Sequence, residues 1–269
     1  MQPASLQARL YMWRKILLSG SWSSLLVVVG VITIWALLSE VIPRPERYLP
    51  SPLTVALSSI DMLYKGILPS YFGDTLRRLV IGSILGLSLG IPVGLILGLN
   101  RTVADMFYPI MNFFQSVSGI AIFPIVVIWL GNSDETIFAV IVYTSFFPIA
   151  FNVLSGSREV PIRYINATRT LGATRLQIIR DVLLPGAMPA IATGARLSIG
   201  FAWRAVIAGE MLAGRQGLGW MIFTGQQFDA VPQIILGMVI IGFTWIILDH
   251  YLLRPLEADT IERWGLVQR

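Results

Sequence analysis

Six stretches of the chain stay apolar over about the length of a bilayer crossing: residues 22–42, 79–99, 113–130, 136–154, 187–208 and 234–253. A membrane helix needs about 20 such residues, so the pattern predicts an all-α, polytopic membrane protein with six transmembrane helices. Pro109 and Pro124 flank and interrupt the third stretch; proline is tolerated where neighbouring helices satisfy the carbonyl it frees. After the first stretch comes Leu49-Pro50-Ser51-Pro52, an extended stop, and then Val55, Leu57, Ile60 and Leu63 at roughly helical spacing. This segment is too polar to cross and reads as an amphipathic helix along the outer surface.

Within the second stretch Gly82, Gly86, Gly90, Gly94 and Gly98 recur at every fourth residue. Small residues at that spacing let another helix approach closely. Packing within one subunit and sliding against a neighbour during a cycle both remain open.

Between the fourth and fifth stretches lies a polar, basic insert, about residues 156–186. A short loop suffices to connect helices, so an insert of this length is where the protein meets something in the aqueous phase. Pro161 fits the first turn of a helix over about 162–170, and Gly172 ends it. Downstream, Leu176, Ile179 and Leu183 form one stripe with Val182 beside it, and Pro185 and Pro189 mark the start of the fifth span.

Composition agrees with a membrane protein: 55% of residues are hydrophobic and the mean hydropathy is +0.72. The formal net charge of +5 is first a topology signal. With the N-terminus inside, 12 Lys or Arg fall on inner segments and 6 on outer ones. The insert contributes most, with Arg158, Arg163, Arg169, Arg175 and Arg180; Arg77 and Arg78 are the outer exception, placed to snorkel at a helix end. Arg9, Arg14 and Lys15 precede the first stretch as in a signal peptide, but the apolar run is long enough to span and meets Glu40 and Pro43 without a small-x-small site. It reads as a retained helix. Basic residues are scattered without an aromatic reading surface, which argues against nucleic acid. There is no cysteine, and His250 is the single histidine, so no metal site is expected. The phosphate-cradling Gly-x-x-x-x-Gly-Lys-Ser/Thr pattern is absent, and no nucleophile–base pair stands out, so the chain is not expected to be an enzyme.

The insert resembles the cytoplasmic motif of the membrane subunits of bacterial ABC importers: Glu-Ala-Ala, three residues, Gly, nine residues, Ile, one residue, Leu-Pro. Here the segment runs Asn166-Ala167-Thr168-Arg169-Thr170-Leu171-Gly172, then Val182, Leu183, Leu184 and Pro185. Gly172, Leu184 and Pro185 match, while Asn166, Thr168 and Val182 replace Glu, Ala and Ile. Leu49-Pro50-Ser51-Pro52, Ala195-Arg196-Leu197, Ala202-Trp203, Gly209-Glu210-Met211 and Gly217-Leu218-Gly219 are similar to the nitrate, taurine, alkanesulfonate and bicarbonate group.

The resemblance implies a type I importer permease fold. It divides the chain into residues 1–74 (tail, first helix and outer segment), 75–255 (a five-helix core with the coupling loop) and 256–269 (a cytoplasmic tail). It implies a homodimer in a bacterial inner membrane with both termini cytoplasmic. Two separate ATPase subunits would carry ATP and Mg, an extracytoplasmic binding protein would deliver a small anion, and this chain would bind no cofactor. Residues 166–172 with Val182, Leu184 and Pro185 would couple to the ATPase. Arg196 and Arg204 lie inside the fifth span, where an arginine costs at least about 2.5–3.5 kcal/mol. They line an anion path with Trp203 and Glu210, or they serve a structural role through hydrogen bonds to carbonyls or a carboxylate. Glu210 fits a gate or a structural partner. Asp249 and His250 close the sixth span and are expected to stay solvated at an interface, as are Asp134 and Glu135 in an outer turn. The alternative is a stand-alone secondary anion carrier or channel, which predicts mid-span acidic residues and internal repeats; neither is apparent.

Overall fold

The computed structural model describes residues 21–43 and 45–264. The topology signal at Arg9, Arg14 and Lys15 and the last five residues of the predicted tail lie outside the described residues. Among the described residues all regular structure is helical. The main elements are α1 (Ser21–Val41), α2 (Pro52–Tyr64), α3 (Ile67–Gly98), α4 (Arg101–Ser116), α5 (Gly119–Leu130), α6 (Asp134–Glu159), α7 (Ile162–Thr170), α8 (Leu184–Ala213), α9 (Leu218–Gln227), α10 (Val231–Ile247) and α11 (Arg254–Trp264).

Four continuous helical rods are long and apolar enough to cross a membrane: Ile67–Gly98, Asp134–Glu159, Arg175–Ala213 and Val231–Glu262. The expected third span is not one rod. It is the pair α4 and α5, bent by 89° at residues 117–118, and counting the pair as one crossing gives five. The expected first span is α1, whose described apolar part, Leu26–Val41, is shorter than the others. The break falls at neither Pro109 nor Pro124. Val117 and Ser118 both have extended backbone, and the Tyr143 hydroxyl donates to the carbonyl of Phe114, supplying a partner where the helix ladder stops.

The core is a trio in which α6 packs along both α3 and α8. All five glycines of the stripe face α6. A Cβ at Gly94 would sit 2.7 Å from the Cβ of Val153, and one at Gly90 would sit 2.9 Å from the Phe146 carbonyl oxygen. In lipid, where apolar burial drives helices together only weakly, such close backbone approach supplies the packing.

At the start of α2 the Leu-Pro-Ser-Pro stretch has a local logic. The Pro50 carbonyl accepts from the Trp35 indole at 3.0 Å, the Ser51 hydroxyl caps the amide of Thr54 at 3.2 Å, and Pro52 opens the helix. The buried face of α2 carries Val55 and Met62, whereas Leu57, Ile60 and Leu63 point outward, which corrects the expected stripe.

Two wide π turns, Ile179–Leu183 and Leu248–Leu253, interrupt the rods. Both end two residues before a proline: Leu184 donates to the Ile179 carbonyl ahead of Pro185, and Arg254 donates to the Asp249 carbonyl ahead of Pro255. A proline crowds the carbonyl four residues back in a regular turn, and the wide turn relieves that clash while the helix continues.

Candidate functional site

The insert folds as a self-contained unit. α7 spans Ile162–Thr170 with Pro161 as its N-cap, the bounds expected from the sequence. It closes with paired terminal hydrogen bonds: Gly172 donates to the Arg169 carbonyl at 3.0 Å and Ala173 to the Thr168 carbonyl at 3.1 Å. That closure needs a left-handed residue, and Gly172 supplies it with φ +81°. Thr174 and Gln177 then cap each other's backbone at the start of the next helical turn.

One side of this unit is anchored. Ile165, Ile178 and Leu183 are buried in a single cluster with Leu95 of α3, Ile149 and Val153 of α6, and Ala187 and Ile191 of α8. The other side is open: Asn166, Ala167, Arg169 and Thr170 are exposed, and Leu171 is 86% exposed. The expected stripe of Leu176, Ile179 and Leu183 is corrected in one member. Leu176 points outward and Ile178 inward, because a π turn shifts the register of faces by about one residue, roughly 100°. Val182, Leu184 and Pro185 are half-buried at the root of the unit. Behind α7 lies an open cleft of about 670 Å³, edged by Glu159, Thr168, Asp181 and Pro185.

The charges inside the spans fall into three environments. At the end of the bundle away from α7, Glu210 is fully buried and Arg78 nearly so. Arg78 Nη1 donates to Glu210 Oε1 at 2.8 Å and to the Gln216 carbonyl at 2.8 Å. Its Nη2 donates to Asp134 Oδ1 at 2.8 Å. Glu210 Oε2 accepts from the Thr75 hydroxyl at 2.9 Å and from the Gly219 amide at 3.0 Å. This joins Gly209-Glu210-Met211 to Gly217-Leu218-Gly219, and a side chain at Gly217 would run into the Glu210 carboxylate. Arg78 therefore does not snorkel, and Asp134 is drawn into ion pairs with Arg77 and Arg78.

Nearer α7, Arg196 is gripped by Asp249 (2.7 Å) and Glu257 (2.8 Å), and Arg254 also pairs with Asp249 at 2.8 Å. Asp249 is 9% exposed, a correction to its expected solvation, because the second π turn rotates it inward. Trp203 is 5% exposed and stacks on Trp245.

Arg204 stands apart. Among the described residues it has no carboxylate within ion-pairing distance; its guanidinium lies 5.7 Å from the ring centre of Phe201. It lines a cavity of about 380 Å³ at the break between α4 and α5, with Gln115, Ser118, Tyr143, Phe147 and Phe201 among its walls. The four candidate path residues are thus not brought together: Arg204 alone reaches this cavity. The Arg78–Glu210 pair escaped sequence reasoning because α3 starts at Ile67, twelve residues before the apolar run, so Arg78 lies well inside a helix. Among the described residues no group of three or more His, Asp or Glu could hold a metal ion.

Residues 90–252 match the family described as binding-protein-dependent transport system inner membrane component. The chain is 32% identical to the taurine transport system permease protein TauC of Escherichia coli strain K12, over 95% of this chain and 92% of that protein. It is 31% identical to the bicarbonate transport system permease protein CmpB of Synechococcus elongatus, over 94% and 92% of the respective lengths. Among solved structures it is similar to an inward-facing conformation of the MetNI methionine ABC transporter. That match has a TM-score of 0.55 at 20% identity, covering 74% of this chain and 98% of that one.

Proposed function

The chain belongs to the family of binding-protein-dependent transport system inner membrane components, and from that premise we propose how it works with its partners. It is a multi-pass membrane permease subunit of an ABC importer. Two copies form the path. The exposed face of each α7 seats in a cleft of a cytoplasmic ATPase subunit, which binds ATP and Mg; this chain binds no cofactor. An extracytoplasmic binding protein delivers a small anion (a sulfonate or taurine, nitrate or bicarbonate) to the opposite end. The basic residues of the insert, Arg158 to Arg180, support a cytoplasmic α7 and cytoplasmic termini.

The observation that carries this reading is the two-sidedness of α7: a buried Ile165 beneath an open face of Asn166, Ala167, Arg169, Thr170 and Leu171. Closure of the ATPase pair moves α7, and the shared core cluster passes that motion to α3, α6 and α8. Two rigid arrangements of the bundle then expose the path alternately. Substituting the five open-face residues with Gly and Ser, with Ile165 kept, is expected to abolish co-purification of the ATPase subunits. Unchanged co-purification removes the assignment.

A further inference from the structure

We propose that the cavity at the break between α4 and α5 is a binding site for an organic monoanion with a short uncharged tail, which Arg204 holds by its head. The proposal rests on the permease reading above and adds the chemical class that this chain itself selects.

Arg78 and Arg196, like Arg204, lie inside the long rods, but their donors are taken by carboxylates. Arg204 is exposed and lines the cavity, and among the described residues no Asp or Glu lines it. One unpaired guanidinium fits one negative head, and its planar fork suits a sulfonate or carboxylate. Further donors stand nearby. Gln115 lines the cavity, and so does Ser118, whose hydroxyl caps no amide. Residues Gly119 and Ile120, at the α5 start, complete that wall; amides at such a position lack an intrahelical acceptor.

Size and lining then decide between tailed and bare anions. A volume of about 380 Å³ lies in the range of organic-ligand pockets, about 300–1,000 Å³. A four-atom oxyanion fills little more than two or three waters of ~30 Å³ each. Phe114, Phe147, Phe201 and Tyr143 give the rest of the wall an aromatic surface, with Phe114 and Phe147 stacked at 5.4 Å. A tail on these rings is desolvated favourably, whereas a strongly hydrated ammonium finds no carboxylate. The Tyr143 hydroxyl, bonded to the Phe114 carbonyl, holds the break open.

The test is equilibrium binding of radiolabelled butanesulfonate to the permease–ATPase complex in nanodiscs, without ATP or binding protein. Saturable binding is expected. R204Q should weaken it at least about tenfold, the scale of a lost charge-assisted hydrogen bond, with R204K intermediate and F147A weakened less. Nitrate, bicarbonate and taurine should compete at least about tenfold more poorly. R204Q complexes that retain their ATPase subunits certify the fold. The proposal is overturned by absent saturable binding, by R204Q binding like wild type, or by any of the three competitors matching butanesulfonate. Each of these results leaves α7 docking intact, and a failure of α7 docking leaves binding measurable on the permease alone.

Discussion

The two ends of the helix bundle treat their polar groups in opposite ways. Around Glu210 each charge is matched: Arg78, Thr75 and the Gly219 amide converge on one carboxylate that water does not reach. At α7 only the apolar Ile165 is enclosed, while Asn166, Arg169 and Leu171 stand open to solvent. The difference teaches where to look for function in a chain so rich in apolar sequence. A charge inside a span is a structural device when its partners are present, and a surface without partners inside the chain is where another molecule is met.

The strongest way to break this contrast is to unpair the closed end. E210A takes away the buried carboxylate of the pair and leaves Arg78 only Asp134 and the Gln216 carbonyl; removing one partner of a buried pair costs about 3–5 kcal/mol. A marked fall in melting temperature of the purified permease is expected, with most of it recovered when R78M and E210L are combined. An E210A protein that melts with wild type would show that the carboxylate holds nothing. Next in size is G90V, which forces a branched side chain against Ile149 and the Phe146 carbonyl. Overpacking of this kind costs about 1–3 kcal/mol, so thermal melting should show a smaller loss than E210A; an unchanged melt would mean that α3 and α6 are less tightly apposed. The smallest effect belongs to the open end. N166A, R169A and L171A each remove exposed atoms and should shift stability by no more than about 0.5 kcal/mol. A large destabilisation from any of them would place that side chain in the fold rather than at a docking face.

Much of this was legible in the sequence wherever the cause is local. Pro161 and Gly172 bracket α7 because one starts a helix and the other accepts a left-handed backbone. The glycine period announced a close helix contact, although only the structure names α6 as the neighbour. Features that depend on distant partners were not legible. Arg78 and Glu210 are separated by 132 positions, so each alone read as a charge near a membrane edge. The break at residues 117–118 lies between two prolines rather than at either, since its freed carbonyl is met by Tyr143 from α6. The π turns moved Leu176 out and Asp249 in, and an even helical period has no means of foreseeing an added residue. The prolines that follow both π turns are a usable sign in hindsight.

The continuity of α6, which carries Pro148 inside it, has a geometric consequence. It runs unbroken for 26 residues, about 39 Å at 1.5 Å per residue. One end flows through Pro161 into α7, and the other presents Asp134 to Arg78. Treated as a stiff lever arm pivoting near the α7 end, a tilt of only about 5° would swing the Asp134 end by about 3 Å. That displacement is comparable to a whole hydrogen-bond length, so a modest tug on one face of the membrane is geometrically sufficient to unlatch a contact on the other.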